Sequence, residues 1–365
     1  MPLSDHQHNP NGASSAESGL FGLPHRMDSA AVVLLPVPWD LTTSYGRGAS
    51  QGPAAILQAS AQLDLYYPLL PDLWRYAPFM LPINHYWLKK NQQLNAQAQQ
   101  VIAYQERNDS TDMDAALQQN LRMLNQVHQH LTQWVQQQTD RLLRQQKIVG
   151  LIGGEHSVSL GLLQSLSRCY QQFGILHIDA HLDMRAAYMG FTQSHASVMY
   201  HALELPQLTR LVSVAVRDFC ADEMSLVQSM PERIRLFSDR DIHQRLYQGA
   251  CWDQICTDIL HALPEYVYIS FDIDGLSPEY CPHTGTPVPG GISYHQAVYL
   301  IQKLAVSGKQ VIGFDLVEVA PGNPQNREHH HGHHDYDANV GARILWELTG
   351  CAYLSRNNMQ KQNNT

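Results

Sequence analysis

No apolar run in this chain is long enough to cross a bilayer, which takes about 20 residues as a helix. A membrane-spanning segment is therefore not expected. Basic charge is also short: 24 Lys and Arg stand against 33 Asp and Glu, a net charge of −9, with no polybasic stripe. A general nucleic-acid surface needs such a stripe to neutralise phosphates, so none is expected. The six cysteines (Cys169, Cys220, Cys251, Cys256, Cys281, Cys351) show no C-x-x-C spacing. That argues against a disulfide framework or a thiolate zinc site and predicts reduced, mostly buried thiols. The polar N-terminal stretch lacks the apolar core of a signal peptide, so residues 1–28 read as a disordered tail on a cytoplasmic protein. The glycine-rich loop from Pro38 to Pro53 has no G-K-[ST] and is not a P-loop. No internal repeat is found.

What is present describes a globular α/β chain of 365 residues, 44% hydrophobic. Short apolar runs alternate with helical patterns. Strands are predicted at Ala31–Pro36, Pro78–Leu81, Ile148–Ile152, Ile175–Ile178, Leu211–Val216, Ile234–Phe237, Tyr266–Phe271 and Val311–Leu316. Helices are predicted from Pro53 to about Tyr66, and at Val158–Tyr170, Asp241–Ala262, Tyr294–Val306 and Ala338–Leu348. Such alternation favours a largely parallel sheet with helices on both faces. Sixteen glutamines fall between Gln92 and Gln146. There Leu117, Leu121, Leu124, Val127, Leu131, Val135 and Leu142 recur at helical spacing, predicting one long amphipathic helix, Met113–Gln146, entered through Asn108–Asp112. The domain reading is a single unit over 29–352, with a variable, glutamine-rich helical region over 69–146 and a disordered tail over 353–365.

The chemistry gathers where strands end. Ile175–Ile178 runs into Asp179, His181 and Asp183, whose spacing of two projects all three to one side of an extended backbone. His156 lies just past Ile148–Ile152, Asp272 and Asp274 close Tyr266–Phe271, and Glu318 follows Val311–Leu316. In parallel sheets ligands bind beyond the carboxyl ends of the strands. Mixed carboxylate and imidazole donors suit Mn²⁺, Zn²⁺ or Ni²⁺ better than Mg²⁺ or Ca²⁺. Two histidines and four aspartates are enough for two ions sharing bridging carboxylates. Such a pair, about 3.5–4 Å apart, lowers the pKa of a shared water so that hydroxide can attack an electrophilic carbon. Glu318 is then free for a cationic planar group such as guanidinium, which offers paired N–H donors.

Gly153-Gly154-Glu155-His156, Asp179-Ala180-His181-Leu182-Asp183 and Ser270-Phe271-Asp272-Ile273-Asp274-Gly275-Leu276 resemble the three metal signatures of the ureohydrolase (arginase/agmatinase) family. Thr284–Gly291 and the strand ending in Glu318 extend the resemblance, which covers most of residues 31–350. It implies a three-layer α/β/α sandwich with an eight-stranded, mainly parallel sheet. It implies two Mn²⁺, with Ni²⁺ or another divalent ion as substitutes: one on His156, Asp179, Asp183 and Asp272, the second on Asp179, His181, Asp272 and Asp274. Asp179 and Asp272 would bridge. By the same resemblance Glu318 holds the substrate guanidinium, and His195, within Gln193–Ser197, carries a proton to the leaving amine. The products are urea and an amine, and the assembly is a homo-oligomer, a trimer or hexamer.

The segment from Asp183 to Ala196 is similar to a branch of prokaryotic agmatinases, which points to agmatine as substrate and putrescine as product. Arginine, formiminoglutamate and guanidinobutyrate are alternatives within the same chemistry. A non-catalytic metal-binding assembly protein is the alternative of another class, and the complete ligand set argues against it. Ser277 stands where the family often has Asp, and Tyr200 where similar agmatinases often have Arg. Arg185 reads as a salt-bridge partner, outside the catalytic set. The run His329-His330-His331-Gly332-His333-His334 reads as a solvated loop rather than a chelating site. Replacing its five histidines by serine is expected to leave bound metal and urea release unchanged; elemental analysis and a urea assay check this, and loss of either restores the chelation reading.

Overall fold

The structure, a computed structural model, describes residues 9, 12, 14–76, 78–107, 113–322 and 335–362. The Asn108–Asp112 entry and the histidine run His329–His334 lie outside the described residues. In chain order the elements are β1 (Val32–Val37), α1 (Gly52–Ser60), β2 (Phe79–Met80), α2 (His85–Arg107), α3 (Ala115–Arg144), β3 (Ile148–Gly153), α4 (Leu160–Cys169) and β4 (Phe173–Ile178). They continue as α5 (Val198–Leu203), β5 (Leu208–Val214), α6 (Ala221–Ser229), β6 (Ile234–Phe237), α7 (Asp239–Tyr247), α8 (Trp252–His261), β7 (Tyr266–Asp272), α9 (Tyr294–Ala305), β8 (Gln310–Val317) and α10 (Tyr336–Gln362).

The strands form one eight-stranded sheet in the order β2-β1-β3-β8-β7-β4-β5-β6, with parallel pairing throughout. β3, β4 and β1 are buried at every position, as expected where helices cover both faces. Two cores result. One lies between the sheet and α1, α8, α9 and α10, with Ile56, Ile259, Leu300 and Leu345; the other lies under α2, α3, α4 and α5, with Leu94, Leu131, Leu163 and Met199. This is the expected three-layer sandwich, of arginase-like α/β fold.

The strand order has a consequence for the site. β8 and β7 insert between β3 and β4, so the polar residues after β3, β8, β7 and β4 stand on four neighbouring strand ends. With strands about 4.8 Å apart, side chains from all four can meet. Register supports this: Ile152 pairs with Leu316, and Ile178 with Phe271, so the chain leaves each strand at a common level.

Several boundaries differ from expectation for identifiable reasons. The long α3 is present, capped by Asp114, whose side chain accepts from Leu117 N. The preceding α2 falls inside the region 69–146 expected to be helical, but its bounds were not foreseen, because its buried stripe includes Asn91 and Ala98 and is weakly apolar. Asn91 is held instead by paired hydrogen bonds with Asp40. The single helix expected over Asp241–Ala262 is two, broken where Gly249 takes φ 95° and Cys251 caps α8. All six cysteines are free, but only Cys256, Cys281 and Cys351 are buried.

Both expected tails enter the fold. Leu20, Phe21 and Leu23 are buried, Phe21 meeting Trp346 edge-on at 4.8 Å between ring centroids and donating its N–H to Ser60 Oγ. At the other end α10 continues through residue 362 instead of ending at Leu348, and so passes the expected domain boundary at 352. Tyr353 stacks on Tyr76, Arg356 donates to the Gln146 carbonyl, and Ser355 Oγ accepts Val311 N at 3.1 Å. Ser355→Ala leaves that buried β8 amide unpaired, and a loss of about 1–3 kcal/mol is expected. Urea denaturation measures it; an unchanged midpoint would mean that the helix extension contributes nothing.

Candidate metal centre

Each predicted ligand sits at or shortly after a strand end. Asp272 closes β7 and Asp274 lies in the 3₁₀ turn that follows, where Asp272 Oδ1 accepts Asp274 N at 2.9 Å. Asp179 Oδ1 accepts His181 N at 2.6 Å, the same local device on the neighbouring strand. The two turns approach closely: a Cβ on Gly275 would lie 2.7 Å from Asp179 N, which only glycine avoids. Asp183 (φ 54°) and Glu318 (φ 60°) occupy the left-handed region, costing on the order of 1 kcal/mol each. For Glu318 the turn brings Oε1 to the His156 N–H at 2.9 Å.

The ligands form two groups that share Asp179. His156 Nδ1 lies 2.9 Å from Asp183 Oδ2, 3.1 Å from Asp179 Oδ2 and 3.4 Å from Asp272 Oδ2. His181 Nδ1 lies 3.1 Å from Asp274 Oδ2 and 3.4 Å from Asp179 Oδ1. Asp179 thus presents one oxygen to each group, as a bridging carboxylate must. Asp272 gives Oδ2 to the first group, while its Oδ1 takes the Asp274 amide.

Electrostatics makes the cluster unfavourable without cations. Burial drives Asp272 well above the usual carboxylate range, with repulsion from Asp274 and Asp179 adding to it. Burial and Asp179 push Asp183 up to about 6. Burial opposes ionisation of Asp179, yet His177 and His156 hold it well below its ordinary value. Burial also opposes protonation of His181, but Asp274 and Asp179 carry it up to about 12. His156 Nδ1 is buried with no hydrogen-bond partner of proper geometry, although three carboxylates surround it. An orphaned lone pair among crowded carboxylates is the donor set that divalent ions require, and these residues fit two of them.

An outer ring orients the ligands. Ser270 Oγ meets His156 Nε2 at 2.8 Å and donates to Asp315, which also accepts from Tyr268 Oη at 2.7 Å and Phe271 N at 3.0 Å. With Nε2 so engaged, Nδ1 is left to face the cluster. His177 spans Asp179 Oδ2 at 2.8 Å and Ser213 Oγ at 3.1 Å. Sequence reasoning passed over His177, although the period of two that selected Asp179 and His181 also reaches back to it.

His195 borders the same space. His195, Asp183 and His181 line a cleft of about 140 Å³ whose mouth carries Asp218 and Phe219. Burial, then the neighbouring His181 and His156, push His195 down to about 3. Its ring rests edge-on against Tyr188, 5.6 Å between centroids. Glu318 is 5% exposed, raised well above its ordinary value by burial and by Glu155. Arg185 lies 3.8 Å from Glu223, the salt bridge expected of it, and also borders the cleft.

Fold and site together define a hydrolase of arginase-like α/β class that acts on guanidino compounds and carries candidate ligands for a binuclear metal centre. The chain belongs to the arginase family, whose model matches residues 30–350. It is 33% identical over 301 residues, 82% of this chain and 86% of the relative, to the N(1)-aminopropylagmatine ureohydrolase of Thermus thermophilus. It is 28% identical over 298 residues to the agmatinase of Halalkalibacterium halodurans, covering 80% of this chain and 85% of that one. The agmatine ureohydrolase of Thermoplasma volcanium superposes with a TM-score of 0.66 at 22% identity, over 95% of this chain and 97% of that one, a likeness of fold.

Wild-type protein is expected to take up two divalent ions per chain and Asp179→Ala fewer, by elemental analysis after dialysis. His177→Phe is expected to weaken metal affinity about 10- to 100-fold while every direct ligand remains. Equal affinity in a metal titration would show that His177 does not support Asp179.

Proposed function

We propose that this protein hydrolyses the guanidinium of an agmatine-class substrate, a guanidine on an aliphatic amine chain, to urea and the free amine. In this reading it is a cytoplasmic homo-oligomer, a trimer or hexamer, using two Mn²⁺ on His156, Asp179, His181, Asp183, Asp272 and Asp274. The observation that carries the reading is one cleft lined by the candidate ligands His181 and Asp183, by His195 and by the exposed Asp218. A guanidinium suits Glu318. At the mouth Arg185 faces Glu223, whose two oxygens are taken by Met184 N and Cys220 N. Asp218 is exposed and its side chain has no hydrogen bond or ion pair among the described residues. A free carboxylate there favours a substrate ending in an ammonium over one ending in a carboxylate. Agmatine and its aminopropyl derivative both end that way, in line with the names of the relatives.

Bound at the ligand cluster, a pair of divalent cations supplies Lewis acidity and lowers the pKa of a water towards neutrality. Glu318 accepts N–H bonds from the guanidinium and fixes its plane, leaving the central carbon open to attack. The carbon gains the water oxygen and loses the alkyl amine. His195 meets the departing nitrogen with a proton from Nε2, so that the amine leaves neutral. Tyr188 and Phe219 wall the cleft with apolar surface and limit bulk water beside the methylene chain.

A urea-release screen of Mn²⁺-loaded protein over agmatine, N(1)-aminopropylagmatine, arginine and guanidinobutyrate tests this. The two amines are expected to be the best substrates, with Asp272→Ala as the blank. Urea from none of the four would overturn the reading. Glu318→Gln is expected to lower kcat/KM by about 2–5 kcal/mol, or about 30- to 5,000-fold.

A further inference from the structure

We propose that Thr42 is a positioning residue for His195: its hydroxyl anchors Nδ1 and holds the ring so that Nε2 is left to exchange the proton. This rests on the role given to His195 above. Thr42 is 1% exposed and lies in the loop after β1, 153 positions from the residue it holds. Its Oγ1 touches His195 twice, accepting the backbone N–H at 3.1 Å and meeting Nδ1 at 3.2 Å. Thr42 is itself pinned from behind. Its N–H donates to Glu155 Oε2 at 2.7 Å. Glu155 Oε1 accepts from Ser157 Oγ at 2.6 Å, so both carboxylate oxygens are acceptors.

A threonine hydroxyl has one hydrogen and two lone pairs. The His195 backbone N–H takes one lone pair, and Nδ1 meets the same oxygen at 3.2 Å, so Nδ1 is engaged whichever of the two carries the hydrogen. Nε2 is left to take a proton released by the attacking water and pass it to the leaving amine. Tyr188 closes the other side of the ring, so rotation about the Cβ–Cγ bond is restrained by Thr42 and Tyr188 together. The device is a hydroxyl that orients a catalytic histidine.

The loop tether and the ring anchor are separable. In Thr42→Val the backbone N–H still reaches Glu155, and only the hydroxyl is lost. Steady-state urea release is measured on Mn²⁺-loaded full-length protein with agmatine and N(1)-aminopropylagmatine. The variants are Thr42→Val, Thr42→Ala, Thr42→Ser, His195→Asn and the Thr42→Val/His195→Asn double. Thr42→Val and Thr42→Ala are expected to lose at least about tenfold in kcat with KM within about twofold. Thr42→Ser is expected to restore most of the rate, and the double variant to be no slower than His195→Asn alone. A slow His195→Asn beside a wild-type Thr42→Val overturns the inference and leaves the histidine's role standing. So does a loss in KM alone, or an additive double variant. A wild-type rate in His195→Asn overturns both, and a wild type that releases urea from neither amine removes the substrate reading as well.

Discussion

Mutual repulsion among buried carboxylates is the constraint on which the rest of this structure depends. Asp179, Asp183, Asp272, Asp274 and Glu318 are all nearly inaccessible, and among the described residues the side-chain ion pairs of these acids are with histidine only. Acids held this way cannot all ionise in a low-dielectric interior without cations. Their crowding is affordable only because divalent ions can enter and neutralise it. The site is unfavourable as a structural device and favourable as a metal centre.

The fold absorbs that constraint with rigid surroundings. Four parallel strands, buried on both faces, end at one level and deliver the ligands from backbone that has little freedom to move. Positive φ at Asp183 and Glu318 and the close pass of Gly275 against Asp179 are local costs that well-packed strands can carry. The outer ring of Ser270, Asp315, Tyr268, His177 and Ser213 then sets which nitrogen of each histidine faces inward. Strain, packing and tautomer control serve the same end: ligand atoms that are in place before any ion arrives.

Much of this was legible in the order of residues. A short apolar run closed by carboxylates marks a buried strand with a polar end, and this found β3, β4, β7 and β8 together with the six candidate ligands. Helical spacing found α3. Where the pattern was weak the reading fell short: α2 hides its stripe behind Asn91 and Ala98, a glycine splits α7 from α8, and polar composition concealed the anchoring of Phe21 and Ser355. Each of these depends on a partner far along the chain, so local pattern carries no trace of it.

The sequence by itself determined the donor chemistry, because aspartate and histidine at spacing two after apolar runs leave few other uses for those side chains. It also determined the layered α/β class, since alternating strand and helix periods must bury their apolar faces in that way. Only the tertiary structure decided that the four strand ends are neighbours, because β7 and β8 return to the middle of the sheet from the far end of the chain. Only it revealed the outer contacts: His177 behind Asp179, and Thr42 on His195 across 153 positions. A hydrogen bond is a matter of a few ångströms, and no spacing in the sequence records which distant loops come that close.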